Sequence, residues 1–183
     1  MTFNNQPVLE DETLILRGMT AQDRNDLHDA AKNPKIWAGH PSRDRYKREV
    51  FDPYFDMLLR EGGTLVVVDK AAKKIIGCSR YYVGPDAPED IGIGFTFLNN
   101  QYWGGEVNFL MKRLMLDHAF QTFDRVWFHI APDNIRSQKA TQKLGAEFVD
   151  DDEVDLSGNP LPWKRYRLDA AVWQRVKAAR PDH

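Results

Sequence analysis

The chain has 183 residues, a length suited to one domain whose core needs neither metal nor disulfide to hold it. Hydrophobic residues make up 42%, charged residues 28%, and the formal net charge is -2, which excludes a disordered chain and a whole-molecule basic field for nucleic acid. Cys78 is the single cysteine, so an intrachain disulfide and a cysteine-based zinc cluster are excluded, and a reducing, cytoplasmic setting is expected.

Residues 1–13 are polar and acidic, with no basic stretch leading into an apolar one, so no signal peptide is expected and residues 1–12 read as a flexible N-terminus. No apolar run approaches the ~20 residues of a membrane span. Residues 14–17 read as a first strand. Thr20 is a fitting cap for a helix over 22–32, with Leu27, Ala30 and Ala31 at helical spacing, and Asn33-Pro34 ends it. A Pro-flanked segment around Trp37 and His40 follows. Ser42 then opens a predicted second helix running to residue 60, with Tyr46, Val50, Tyr54, Phe55 and Leu58 on one face, Pro53 as a kink or break, and Gly62-Gly63 as the stop.

Strands are predicted at 64–69, 74–83 and 90–97, the last with Gly92 and Gly94 inside it, where glycine marks a bulge or a close approach. Residues 101–105 form a turn, 107–120 an apolar core helix, and 125–130 a central strand. An amphipathic helix over 134–144 ends at Gly145. Strands at 146–149 and 164–168 flank an acidic connection, and 169–180 form a last helix. This order predicts a mixed-sheet α/β architecture for one domain, 1–183.

The chemistry concentrates between residues 90 and 148. A glycine-containing turn, Trp103-Gly104-Gly105-Glu106-Val107-Asn108, opens the core helix and presents backbone N–H groups at the positive end of the helix dipole, a geometry that suits a pyrophosphate and also an ordinary turn. Downstream, the strand over 125–130 leads through Asn134 into Ser137 and Lys143-Leu144-Gly145.

Together, Leu14-Ile15-Leu16-Arg17, Tyr102-Trp103-Gly104 with Asn108, Lys112-Arg113-Leu114-Met115-Leu116, and Asn134-x-x-Ser137 with Lys143-Leu144-Gly145 resemble the GNAT superfamily of acyl-CoA N-acyltransferases. The branch resembled is that of the ribosomal-protein N-terminal acetyltransferases, RimJ/RimL-like. The similarity covers roughly residues 13–168, and the order and spacing of its motifs carry it. It implies a mixed, splayed, mostly antiparallel sheet flanked by helices, with acyl-CoA between the strands at 90–97 and 125–130. It implies acetyl transfer from acetyl-CoA to a primary amine, a peptide N-terminus or a small amine, by direct attack on the thioester. The pantetheine arm would pair near Thr96, Phe97 and Leu98, and the pyrophosphate would meet amides of Trp103, Gly104, Gly105, Glu106, Val107 and Asn108. Asn134 matches the family's cofactor-contacting asparagine, and Ser137 the serine near the thioester sulfur. A homodimer is implied as well, with no nucleic-acid or membrane partner.

Two positions depart from the family pattern: Glu106 stands where a small residue is usual, and Thr141 where many members carry a tyrosine. They leave a non-catalytic CoA-binding or sensor domain as the alternative. A general base is expected at Asp90, with Glu89 as neighbour and substitute; the same carboxylates also read as exposed turn charges. Ser137 reads as the thiolate's hydrogen-bond donor or as a plain helix-start hydroxyl, and Asn134 as both cap and cofactor contact. Trp37 and His40 are expected to contact the acceptor, while His118 and His129 read as packing residues. Lys139 is placed to meet CoA phosphates, and the acidic run from Asp150 to Glu153 is either the rim of a cationic acceptor's pocket or a solvated hairpin. The five histidines show no metal-ligand spacing, so no metal is expected.

Overall fold

A computed structural model describes residues 2–180 and divides the chain into two compact units. The first unit comprises residues up to Tyr81 together with Phe95–Met115; the second comprises Tyr82–Gly94 and residues from Leu116 onward.

In the first unit, β1 (Leu9–Glu10), β2 (Leu14–Gly18), β3 (Thr64–Asp69) and β4 (Lys74–Tyr82) pair antiparallel in succession. β1 lies within the segment read as a flexible N-terminus, where Leu9 pairs with Leu16. β5 (Ile91–Leu98) continues the sheet, and the Asn99 N–H donates to the Ile76 carbonyl at 2.7 Å. A 3-10 turn, Ala21–Asp23, precedes α1 (Arg24–Ala31). Its Asp23 carboxylate accepts from the Thr20 N–H at 2.8 Å and from both terminal nitrogens of Arg17, which fastens the turn to β2.

The second helix, α2 (Arg48–Glu61), begins six residues later than expected and runs through Pro53 without splitting. Lys47 stands at its N-cap position in place of Ser42, whose N–H donates to His40 Nδ1 at 3.2 Å. Phe51, Tyr54, Phe55 and Leu58 recur at helical spacing and bury one face against Leu27, Ala31, Trp37 and Phe97. Each fully buried aromatic or leucine contributes about 1.5–3 kcal/mol.

In the second unit, β6 (Arg125–Ile130) pairs antiparallel with β8 (Pro160–Asp169), and β8 with β7 (Glu147–Asp155). The acidic stretch expected as a connection is therefore strand. Its charges are matched across the hairpin, where Asp150 faces Arg165 and Asp151 faces Lys164, joined by bonds of 2.6 and 2.9 Å. α4 (Ile135–Lys143) follows β6, and α5 (Ala170–Ala178) closes the chain. α3 (Val107–Ala119) follows the turn after β5; its Asp117 accepts from Trp173 Nε1 and Lys177 Nζ of α5, both at 2.8 Å.

The hydrogen-bonded strand order is β1-β2-β3-β4-β5-β6-β8-β7. This is the expected mixed, mostly antiparallel α/β sheet. Its parallel ladder, β5 with β6, consists of Ile91↔Val126 and Gly92↔Trp127 and stops there. No described helix is long and apolar enough to cross a membrane.

The Tyr82 ring lies against Gly92, where an added Cβ would sit 2.5 Å from the ring. Gly92→Ala must therefore displace Tyr82 or the strand, and a loss of about 1–3 kcal/mol in unfolding free energy is expected from its urea midpoint. An unchanged midpoint would contradict this packing.

Candidate functional site

In the first unit the site begins with a break in β5. Phe95 has φ of +51° inside the strand, a left-handed conformation that costs a non-glycine residue about 1–2 kcal/mol. The interruption expected at Gly92 and Gly94 falls on Phe95, and the two glycines instead make room for Tyr82. Arg80 lies 5.0 Å over the Phe95 ring, and the Cys78 thiol approaches the Phe95 carbonyl at 3.7 Å. Thr96, Phe97 and Leu98 lie beyond the ladder with β6.

The turn after β5 is stapled to its own unit. Tyr102 donates its hydroxyl to Asp69 at 2.8 Å, and Trp103 Nε1 donates to the Leu98 carbonyl at 3.0 Å. Gly104 takes φ of +76°, which a side chain would strain, and the space about Gly104 and Gly105 is open. Glu106 is exposed, and its carbonyl accepts the first helical bond of α3, from the Leu110 N–H at 2.9 Å. Val107 and Asn108, which follow it, are half-buried. A turn of this form sets amide groups at the N-terminus of a long helix, where anions bind.

Two further groups in this unit centre on Lys112 and Arg45, to which no role was assigned from the sequence. Lys112 of α3 is buried, and its Nζ donates to Thr96 Oγ1 at 2.9 Å and to Ser79 Oγ at 3.3 Å; the two hydroxyls are 2.7 Å apart. Burial lowers its pKa to about 7. Its only signal was a lysine interrupting the apolar face of a core helix. The second group surrounds the two expected acceptor residues. Trp37 is buried, donates Nε1 to the Ala31 carbonyl at 2.8 Å and packs 5.1 Å from the Phe97 ring. His40 meets it edge-on at 5.5 Å. The Arg45 guanidinium lies 3.8 Å over the Tyr54 ring, 5.6 Å from Trp37, and 3.3–3.4 Å from the His40 ring nitrogens. Burial first, and Arg45 second, lower the His40 pKa to about 3, so its imidazole is neutral near pH 7.

In the second unit, Asp90 is buried, and its oxygens accept from Arg125 Nε at 3.1 Å and Trp127 Nε1 at 2.8 Å. That is a tie to β6 rather than the water-accessible carboxylate expected of a base. Glu89 is exposed on the preceding turn. Asn134 caps α4, with its Oδ1 accepting from the Ser137 N–H at 3.2 Å, so these two expected residues meet. Ser137 is half-buried, Lys139 exposed and Thr141 buried.

His129, expected only to pack, is the centre of a chain of polar groups. The Tyr82 hydroxyl is 2.6 Å from His129 Nδ1, and His129 Nε2 is 2.9 Å from Asp86 Oδ2, which also accepts from Arg165 at 2.9 Å. Burial alone would raise the Asp86 pKa, but the N–H groups of His129 and Arg165 leave it below the usual carboxylate range. Burial lowers the His129 pKa, with Asp86 opposing. The imidazole is therefore neutral near pH 7, donates Nε2–H to Asp86 and accepts from Tyr82 at Nδ1. A tyrosine, a histidine and an aspartate this far apart in sequence leave no spacing signature. Among the described residues, no group of three or more His, Cys, Asp or Glu side chains is arranged to hold a metal ion.

A mixed sheet whose parallel ladder ends early thus leads through a glycine turn into a long helix. The chain belongs to the acetyltransferase (GNAT) domain family, whose model matches residues 13–147. The protein is thus an acetyltransferase that draws its acyl group from acetyl-CoA. No curated protein matches the sequence. Among solved structures, a GCN5-related N-acetyltransferase from Brucella melitensis is 18% identical, with a TM-score of 0.77 over 95% of this chain and 83% of that one. RimJ of Mycobacterium smegmatis, in complex with CoA-disulfide, is 16% identical, with a TM-score of 0.64 over 91% and 88%. An aminoglycoside acetyltransferase in complex with coenzyme A and kanamycin is 16% identical, with a TM-score of 0.66 over 90% and 99%. At these identities the likeness is one of fold.

Lys112 makes stability depend on pH. Between about 7 and its ordinary value of 10.5, the unfolded chain binds the extra proton and the folded protein does not. Stability therefore rises with pH across that window, by at most about 1.4 kcal/mol per unit from this group. Urea midpoints taken between about pH 7 and about pH 9 should climb in the wild type and flatten in Lys112→Met. Equal slopes in the two proteins would show that Lys112 keeps its proton on folding.

Proposed function

We propose that the protein acetylates a primary amine, a peptide N-terminus or a small amine, by direct attack of the amine on the acetyl-CoA thioester. The observation that supports the reading is the early end of the β5–β6 ladder, which leaves Thr96, Phe97 and Leu98 unpaired with β6 and so open to a pantetheine arm. Amide-containing chains pair with strand backbone as an added strand would. The turn from Trp103 to Val107, open about Gly104 and Gly105, holds the pyrophosphate through backbone N–H groups. Asn134 contacts the cofactor while capping α4, and the Ser137 hydroxyl donates to the departing thiolate. Lys139, exposed on α4, meets a cofactor phosphate.

Asp90 is committed to Arg125 and Trp127, so the proton of the attacking amine goes elsewhere. Tyr82, His129 and Asp86 have the arrangement of a hydroxyl, a neutral imidazole and an orienting carboxylate. As the N–C bond forms and the C–S bond breaks, the Tyr82 oxygen takes the amine proton while its own passes to His129 Nδ1. Asp86 holds the imidazole in the required tautomer and stabilises the imidazolium. The RimJ/RimL-like motifs favour peptide N-termini as the first acceptors to try, and small amines come next.

Thiol release from acetyl-CoA in the presence of an amine panel tests this. Wild type should release thiol with at least one amine, and Tyr82→Phe should lower kcat by roughly 10²-fold with little change in the KM for acetyl-CoA. Full activity of Tyr82→Phe would remove Tyr82 from the proton path, and no release with any amine would count against amine acetylation.

A further inference from the structure

We propose that Arg45 anchors a carboxylate carried by the amine acceptor, so that the preferred substrates are amino-acid-like rather than plain or cationic amines. This rests on the amine-acetylation reading above and deepens it.

In the same unit Arg17, Arg24, Arg48 and Arg60 each meet a carboxylate. Arg45 does not: among the described residues its guanidinium touches only the Tyr54 and Trp37 rings and the His40 imidazole. Burial lowers its pKa, and the small opposing effects come from Tyr54 and Cys78, neither of which is ionised near neutral pH. Arg45 is half-buried, and a guanidinium partly withdrawn from water between aromatic walls without a counter-anion carries a desolvation cost that cation–π contact offsets in part. Its planar fork has five N–H donors, and two of them match a carboxylate in bidentate fashion.

The walls suit an anion as well. His40 already uses Nδ1 to accept from the Ser42 N–H, so its neutral ring adds no competing carboxylate and no second charge. Trp37 joins this group to Phe97 of β5, which places Arg45 one aromatic layer from the strand assigned to the pantetheine arm. The alternative pull, of acidic residues on a cationic acceptor, is weakened because Asp150 and Asp151 already pair with Arg165 and Lys164.

The test compares free amino acids with their carboxamides as acceptors, with an aminoalkyl phosphate as a third arm, in wild type, Arg45→Gln and Arg45→Lys. In wild type the acid should exceed the carboxamide by at least about tenfold in kcat/KM, the worth of a charged hydrogen-bonded pair. Arg45→Gln should erase that preference by raising the acceptor KM, while thermal stabilisation by acetyl-CoA stays at the wild-type level; Arg45→Lys should keep part of it. Equal use of acid and carboxamide, preference for the phosphate, or an unchanged preference in Arg45→Gln overturns the proposal. Calorimetric titration with N-acetyl amino acids and their carboxamides probes the same contact without turnover. Tighter binding of the acid by wild type than by Arg45→Gln supports the anchor, and no difference overturns it. Carboxylate binding without turnover of any amine would strike the acetylation reading alone.

Discussion

A parallel ladder of two residue pairs obliges the rest of β5 to satisfy its backbone in another way, because peptide groups inside a sheet cannot go without partners or water. Much of the first unit follows from that. Phe95 leaves the extended conformation, Leu98 gives its carbonyl to Trp103, and Asn99 bonds back to Ile76, so the strand is held on one side and its end is steered into the glycine turn. The turn then delivers α3, whose N-terminal amides need an anion or water. Local backbone accounting and the family's chemistry thus meet in one stretch of chain, from Phe95 to Asn108.

Lys112 and His129 are buried and Arg45 is half-buried, and each charge or ring is accommodated differently. Lys112 lowers its own pKa and shares two hydroxyls with the sheet. His129 is satisfied at both ring nitrogens, which fixes its tautomer and makes it useful for proton transfer. Arg45 cannot shed its proton near neutral pH and has only rings beside it, so its charge is left for a ligand to balance.

Much of this architecture was legible in the sequence because it rests on short-range signals. Gly62-Gly63, the β-branched run of β3, the apolar helix after the glycine turn and the Asn134 cap are each local, and they fall where expected. The misreadings share a cause in tertiary pairing. The acidic run looked like a connection until Arg165 and Lys164 faced it, and Ser42 looked like a cap although the helix starts after Lys47. The residues assigned to the cofactor by resemblance were reached through motif spacing, whereas Tyr82, His129 and Asp86 lie 4 to 47 positions apart and only the fold brings them together. Asp90 was reached by position, and nothing local foretells that Arg125 and Trp127 will bond to its oxygens.

The proposed acetyl transfer requires the backbone from Thr96 to Val107 to hold the cofactor. Amide hydrogen exchange with and without saturating coenzyme A tests that requirement most directly, because bound backbone groups exchange more slowly. Protection is expected to concentrate in residues 96–107, with a second, smaller effect at 134–138 from Asn134 and Ser137. Binding of coenzyme A that leaves residues 96–107 unprotected, or that protects other strands instead, would contradict it.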